Sequence, residues 1–375
     1  MSLKFLTAGE SHGSGLTAIV EGLPSGLPVK AEDINLDLQR RQRGYGRGGR
    51  MSIEHDTAQI TAGVIADQTI GAPVALFIEN RDWSNWRDRH VPAWSVPRPG
   101  HADLAGGMKY HLADLRWVAE RASARETAAR VAVGAVCKQL LRSCGIQVGS
   151  YVVQLGWVTA AVPDCSLPDL WALAESSDVC CPDPIAAEAM RQHIDDARVA
   201  GDSLGGVFVV AATGVPVGLG SHVHWDRRLD GRLAQAILSI PAIKGLEIGP
   251  AFENAGLPGT QVHDALYPGE AGNGPVRRSN RAGGLEGGIT NGQPIVIRAA
   301  MKPIPTTVHP QSSVNVATGE AASTQYQRSD VCALPAACVV AEAMMAYILS
   351  EALLEKFGGD SLAELLRNME GYLQS

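Results

Sequence analysis

Residues 3–21 read Leu-Lys-Phe-Leu-Thr-Ala-Gly-Glu-Ser-His-Gly-Ser-Gly-Leu-Thr-Ala-Ile-Val-Glu. Residues 3–7 are apolar and read as a strand. Gly9-Glu10-Ser11-His12-Gly13 breaks it, and residues 16–21 resume extended. The break matches the G-x-S-x-G nucleophile elbow, which belongs in a strand-to-helix turn after several strands, with an oxyanion-hole loop upstream. Here one strand precedes it, and Leu16-Thr17-Ala18-Ile19-Val20 reads β rather than helical. A serine hydrolase using Ser11 is therefore the alternative, and two strands joined by a turn is the main reading. Further strands are expected at 59–66 and 73–79, then at 146–154, 205–213 and 293–300. They come in adjacent runs and do not alternate one-for-one with helices. That pattern favours α+β with antiparallel sheets over a doubly wound parallel sheet.

Residues 31–39 read as a helix, with Glu32 and Asp33 in the first turn and Ile34 and Leu38 spaced four apart. Residues 80–100 form a polar loop, and 101–116 read as loop then helix. Residues 120–144 are the clearest helix, alanine-rich and stopped by Gly145. Others are expected at 166–176, 185–199, 227–239 and 334–356, and Ser361-Leu362-Ala363-Glu364 is a capping box opening the last. Residues 252–292 are glycine-rich and irregular, a composition that marks a functional loop region. With no linker, repeat or low-complexity boundary, residues 1–375 read as one large domain.

Hydrophobic residues make up 45% of the 375 and charged residues 19%, so disorder is excluded. The net charge of −7 argues against duplex DNA as the main partner. The count of seven cysteines is odd and none forms a C-x-x-C pair, so reduced thiols of a cytoplasmic protein are expected. The first residues show no signal-peptide architecture, and no apolar run approaches the ~18 residues of a membrane span.

Against this acidic background, residues 40–50 read Arg-Arg-Gln-Arg-Gly-Tyr-Gly-Arg-Gly-Gly-Arg. Arg40, Arg41, Arg43, Arg47 and Arg50 have no neutralising acid nearby in this reading, so the island calls for an anionic partner. Arginine grips carboxylate and phosphate with two parallel bonds, and glycines let several such forks converge on one small ligand. A flexible Gly/Arg tract touching RNA is the alternative. Gly44-Tyr45-Gly46-Arg47-Gly48-Gly49 also matches G-x-G-x-x-G, but residues 39–43 are polar and basic and not the buried strand a dinucleotide site needs.

Other motifs carry two readings each. His12 sits in a glycine-flanked turn, suited to proton transfer or simply exposed. Arg98-Pro99-Gly100-His101-Ala102-Asp103 presents a histidine that Asp103 either orients or leaves alone while capping a helix. Arg121 and Arg125 are four apart at the start of the long helix. They form an anion site there, or pair with Glu120 or Glu126. Lys302-Pro303-Ile304-Pro305-Thr306 is rigidly extended, suited to a planar ring or to a plain strand exit. Asp330 reads as a general base or a pre-helix cap. His222-Val223-His224 lacks an evident third ligand, so no metal site is assigned.

Several of these stretches together resemble the chorismate synthase family. The carrying residues are Thr7 to Gly13, Arg40 to Met51, Arg98 to Asp103, Arg121 to Thr127, Gly201-Asp202-Ser203 with Gly205-Gly206, Lys244-Gly245-Leu246-Glu247, Gly283 to Gly292, Lys302 to Thr306, and Arg328 to Asp330 with Leu334-Pro335-Ala336. The resemblance implies a β-α-β sandwich with helices between antiparallel sheets, assembled as a homotetramer. It implies a shikimate-pathway lyase converting 5-enolpyruvylshikimate 3-phosphate to chorismate and phosphate by 1,4-anti elimination, with reduced FMN. Carried over residue by residue, Arg41, Arg47, Arg50 and Arg125 surround the substrate. His12 assists phosphate departure, His101 protonates reduced flavin, and Asp330 takes a proton near flavin N5, which then acts on the substrate. Arg121, Ala122, Ser123, Pro241, Ala242, Gly287, Lys302, Pro303, Ile304, Pro305, Thr306 and Arg328 contact FMN. Arg41 and Arg47 also fall where NADPH contacts are sometimes assigned. With no Rossmann signature and no large insertion, an outside flavin reductase is implied, with NADPH as indirect reductant. Ala122 stands where many relatives have serine, and Pro241 where asparagine is common. No nucleic acid or membrane partner is implied.

Overall fold

The computed structural model describes residues 2–48, 55–89, 91–269, 274–326 and 329–374. Strands β1 (Lys4–Ala8) and β2 (Gly15–Glu21) pair antiparallel, Lys4 opposite Glu21 and Ala8 opposite Thr17. Gly9 closes the turn between them at φ +112°, where a Cβ would lie 2.4 Å from the Gly15 carbonyl oxygen. Helix α1 (Ala31–Gln42) runs past the expected end at residue 39 and carries Arg40 and Arg41 on its last turn. The strand expected at 59–66 breaks at Gly63. It becomes β3 (Ala58–Ala62) and a hairpin of β4 (Val64–Ile65) with β5 (Gln68–Thr69). Strand β6 (Val74–Glu79) completes a four-stranded antiparallel sheet in the order β1-β2-β6-β3.

Three helices follow: α2 (Asp103–Tyr110), α3 (Leu115–Ala122) and α4 (Thr127–Ser143). The single helix expected at 120–144 is thus interrupted. Ser123 is extended, at φ −62° and ψ 142°, and its hydroxyl accepts the N–H of Arg125 to open a 3-10 turn over Ala124–Glu126. A serine hydroxyl competes with the helical ladder in this way. The break overturns the expectation that Arg121 and Arg125 share one helix face. The pair predicted with Arg121 or Arg125 is also absent from the described contacts: Glu126 pairs with Arg130 and Glu120 with His12.

The second half supplies β7 (Gln147–Leu155), β8 (Val158–Thr159), α5 (Leu167–Glu175), α6 (Pro184–Val199), β9 (Gly206–Thr213) and α7 (Leu229–Leu238). The sequence reading missed β10 (Ile243–Ile248), whose apolar alternation is interrupted by Lys244-Gly245. Among its described residues the glycine-rich stretch holds only short pieces: α8 (Ala251–Asn254), α9 (Gly259–Val262) and the hairpins of β11 (Leu266–Tyr267) with β12 (Val276–Arg277) and β13 (Leu285–Glu286) with β14 (Ile289–Thr290). Then come β15 (Ile295–Met301), the β16 (Ser312–Val314) and β17 (Ala321–Ser323) hairpin, α10 (Leu334–Phe357) and α11 (Leu362–Leu373), which opens with the expected Ser361–Glu364 capping box. The second sheet, β10-β15-β9-β7-β8, is antiparallel throughout.

Helix α4 packs on β2 and β6 of the first sheet, α10 packs on β7 and β9 of the second, and the two helices pack on each other. This is the sheet–helix–sheet layering expected of the α+β sandwich. Gly134 makes the close approach possible, since a Cβ there would sit 2.2 Å from that of Ala343. By length and composition α10 is apolar enough to span a membrane, which corrects the reading that no run comes near that length. Its apolar character has another cause: 89% of its most apolar window is buried inside the protein, because α10 is covered on all sides by other elements.

One charged cluster lies within this layer. Glu342, 0% exposed, takes two bonds from Arg40 at 2.7 and 2.9 Å and one each from Lys138 at 2.7 Å and Ser150 Oγ at 2.6 Å; Lys138 also donates to Asp37. Burial alone would push the Glu342 carboxyl up, but Lys138 and Arg40 outweigh it and hold it below the usual glutamate range.

Candidate active site

The described arginines of the island pair with acids, most of them from elsewhere in the chain, which corrects the view that none lies close. Arg40 pairs with Glu342, with Asp37 three residues upstream and with Glu175. The Arg41 side chain is buried and that of Arg47 largely so, while Arg43 stays 65% exposed and pairs with Glu175, so the described part of the island is not a continuous exposed RNA-binding tract. Arg41 is only 4% exposed. It donates Nε–H to Thr127 Oγ1 and an Nη2–H to the Ala124 carbonyl, both at 3.0 Å. Arg125 donates Nε–H to Asn80 Oδ1 at 2.8 Å. Both guanidiniums reach one carboxylate, Asp56, at 3.4 Å from Arg41 and 2.5 Å from Arg125. Burial lowers the Arg41 pKa to about 10, against the pull of Asp56. Packing of α1 against α4 brings these distant residues together. Arg50 lies outside the described residues.

Arg47 pairs with Asp330 at 3.0 Å, and the Gly48 N–H donates to the same carboxylate at 2.6 Å. Gly48 passes so close that a Cβ would lie 2.9 Å from the Ser329 carbonyl oxygen. Asp330 therefore does not cap α10, whose first turn is preceded by Ala333.

His12 is held by Glu120 on α3. Glu120 Oε1 lies 2.8 Å from Nδ1, and Oε2 accepts the His12 backbone N–H at 2.8 Å. The imidazole lies against Trp86, ring centroids 3.9 Å apart. Burial pushes the Glu120 carboxyl up, but the bonds and charge of His12 prevail and hold it below its ordinary value. Asn80 joins this turn to the arginines: its Nδ2 donates to the Glu10 and Gly13 carbonyls while its Oδ1 accepts from Arg125. Ser11 is 4% exposed and its hydroxyl lies 3.1 Å from that of Ser123, in a turn between two antiparallel strands. That is not the strand-to-helix elbow of a hydrolase.

His101 Nδ1 lies 2.6 Å from Asp103 Oδ1, and Arg98 Nε–H donates to Asp103 Oδ2 at 2.8 Å. Of the two readings of Asp103, orientation of His101 is the one realised, because α2 has no side-chain cap. Asp103 is 1% exposed. Burial raises its carboxyl, and the His101 and Arg98 bonds overcome that and hold it well below the usual carboxylate range. The described hydrogen bonds leave His101 in its own turn and do not link it to His12 or Asp330. Lys302 connects that turn to the next segment: its Nζ donates to the Gly100 carbonyl at 3.1 Å and its N–H to the Ala242 carbonyl at 2.9 Å. Ala242 has φ +68°, a left-handed conformation uncommon for alanine. Ser203 Oγ fixes the Ile304 carbonyl at 2.6 Å, and Pro303, Pro305 and Thr306 lie in the irregular stretch after β15, which bends at Pro305.

A cavity of about 570 Å³ opens beside β1 and is lined by Phe5, Leu6, Arg121, Ala122, Arg130 and Pro241, among others. Arg121 reaches back to the Thr7 carbonyl and hydroxyl and the Gly9 carbonyl at 2.7–3.2 Å. Gly287, at φ +59° in the β13–β14 turn, faces His222 and has no described contact with this cavity. Arg328 lies outside the described residues. Asp56, Asn80 and Glu120 went unread as site residues in the sequence; each acts on a partner far away in the chain, so no local motif marked it.

A family model described as chorismate synthase matches residues 3–354. A chorismate synthase of Moorella thermoacetica is 56% identical over 380 residues, covering 99% of this chain and 98% of that protein. One of Aquifex aeolicus is 54% identical, covering 99% and 97%. A solved structure titled "Crystal Structure of Chorismate Synthase" superposes with a TM-score of 0.83 at 48% identity, covering 100% of this chain and 98% of that one. With its fold, its paired histidine–carboxylate turns and this likeness over nearly its whole length, the chain belongs to the chorismate synthase family of carbon–oxygen lyases.

Proposed function

We propose that the chain converts 5-enolpyruvylshikimate 3-phosphate to chorismate and phosphate by 1,4-anti elimination, using reduced FMN. The observation that carries this reading is the connected set His12–Glu120, Asn80 and Arg125–Asp56–Arg41, which sets a proton-bearing ring beside a buried basic group. A substrate with two carboxylates and a phosphate needs charged partners to leave water. Arg41, Arg47, Arg50 and Arg125 are assigned to it.

The residues present fit a flavin. The cavity beside β1 falls within the size range of cofactor sites, its Phe5, Leu6, Ala122 and Pro241 wall suits a ring, and Arg121 and Arg130 suit a phosphate. Three assigned flavin contacts, Arg121, Ala122 and Pro241, line it, and a backbone bond ties Lys302 to Ala242, the residue after Pro241. Ser123, Gly287, Ile304, Pro305, Thr306, Pro303 and Arg328 complete the assigned set. When bound, the reduced flavin supplies transient electron density for carbon–oxygen cleavage.

The chain's own residues do the rest. Glu120 holds His12 at Nδ1, so proton exchange with the departing phosphate oxygen falls to Nε2. Asp103 holds His101 at Nδ1, and Nε2, which lies 3.5 Å from Arg98 Nη2, is assigned the proton exchange at the flavin side. Asp330, paired with Arg47 at 3.0 Å, is assigned as the proton acceptor near flavin N5. In this reading the enzyme works as a cytoplasmic homotetramer and NADPH acts indirectly, through an outside flavin reductase. Helix α1, not a buried strand, precedes Gly44-Tyr45-Gly46, which supports an outside reductant. Arg41 and Arg47 are where a direct NADPH contact would fall.

Anaerobic assay of phosphate release with and without reduced FMN tests the proposal. Release only with the reduced flavin is expected; equal turnover without flavin would overturn it.

A further inference from the structure

Asp56 enters the scheme above only as a link between two arginines and is assigned neither a substrate contact nor a proton, yet both of those assigned substrate arginines converge on it. Its side chain is 0% exposed, and those of Arg41 and Arg125 are 5% and 4% exposed. Arg125 Nη1 lies 2.5 Å from Oδ1 and Arg41 Nη1 lies 3.4 Å from Oδ2, so each carboxylate oxygen serves one guanidinium. The Asp56 backbone N–H donates to Gln42 Oε1 at 3.0 Å, which ties the acid to the end of the helix that carries Arg41.

The arrangement has an electrostatic consequence. Two buried cations side by side repel strongly where water is scarce. One carboxylate between them relieves that repulsion and leaves the trio one positive charge in excess. Each guanidinium has five N–H donors, and the contacts to Thr127, Ala124 and Asp56 engage only three on Arg41. Excess charge and spare donors are what an incoming anionic group needs. A full neutral set would repay nothing for its desolvation, and an unpaired set would not stay in place.

We propose that Asp56 is a positioning residue for substrate binding: its carboxylate sets Arg41 and Arg125 at a fixed spacing and keeps the buried trio at a single net positive charge, ready for the phosphate or carboxylate of the ligand. The inference rests on the reading that these arginines hold the substrate. A purely structural Asp56 would matter for stability and leave substrate affinity unmoved in any variant that folds.

The test compares substrate binding by calorimetry and steady-state turnover in the full-length chain with reduced FMN. In Asp56→Asn, Kd and KM for 5-enolpyruvylshikimate 3-phosphate should rise about tenfold or more, a larger change than in kcat. Asp56→Glu, which keeps the charge and shifts its place, should recover part of that loss, and it serves as the test if Asp56→Asn does not fold. Wild-type Kd and KM in folded Asp56→Asn, or in Asp56→Glu where only that variant folds, overturns the proposal. Arg125→Lys separates the two ideas. If it binds substrate as tightly as wild type, the arginine reading itself falls, and Asp56 with it. If Arg125→Lys binds weakly while the Asp56 variants bind normally, only the role of Asp56 is lost.

Discussion

Glu120 grips His12 at two points, with Oε1 2.8 Å from the ring Nδ1 and Oε2 2.8 Å from the backbone nitrogen. One carboxylate therefore fixes both the position of the turn and the direction of the ring. Glu120→Gln keeps the shape but removes the charge and one acceptor. It should lower kcat about tenfold or more, while His12→Ala should cost about 10² or more, as for a lost general acid. Stopped assays of phosphate release, with circular dichroism to confirm folding, check both. Near-wild-type kcat in His12→Ala would remove that residue from the chemistry.

Asp103 stands to His101 as Glu120 does to His12, with Arg98 as a second clamp. His101→Ala should slow turnover by about 10² or more. Asp103→Asn should slow it less, because the ring remains but is no longer aimed. If Asp103→Asn is as active as the parent, the orienting role is wrong.

Acid should unfold this protein through a small set of carboxylates. Glu120, Asp103 and Glu342 all have folded pKa values below their ordinary values of 4.5, 3.8 and 4.5. For a depressed carboxylate the unfolded chain binds protons first as pH falls. Its stabilisation is complete above the ordinary value and is lost below it, on the way down to the folded value. Urea midpoints should thus hold steady near neutrality and fall below about pH 4.5. A Glu342→Gln variant should show a shallower fall; an equally steep one would deny Glu342 a share.

Removing Glu342 altogether leaves Arg40 and Lys138 without their shared buried acid. Breaking a buried pair this way costs about 3–5 kcal/mol. Glu342→Ala should lose that much in urea titration, and a loss under about 1 kcal/mol would show that water or rearrangement rescues the cations.

At Gly134 two effects oppose each other. Alanine favours a helix interior over glycine by about 1 kcal/mol. The added methyl would meet Ala343 at 2.2 Å across the α4–α10 contact, an overpacking that costs about 1–3 kcal/mol or more. Gly134→Ala should therefore lower Tm; a rise would mean that the helices separate easily.

Much of the architecture was legible locally. The strand–turn–strand at residues 3–21, the capped last helix and the strands β7, β9 and β15 of the second sheet each announce themselves within a few residues, because period, glycine and caps are short-range signals. The long helix was misread at Ser123, where one hydroxyl outcompeted an alanine-rich run. Strand β10 was missed because Lys244 and Gly245 interrupt its apolar alternation. The histidines, the arginines and Asp330 could be named from motif and resemblance.

By itself the amino-acid order determined which groups bear charge and protons and which segments bend, since those properties belong to each residue and its neighbours in the chain. Only the tertiary structure decided the distant partners: Glu120 for His12, Asp56 between Arg41 and Arg125, Asp330 for Arg47, and Glu175 and Glu342 for Arg40. The physical reason is that a buried charge is stabilised by whatever lies within a few ångströms in space. Helices packed between two sheets bring together groups that no count along the chain relates.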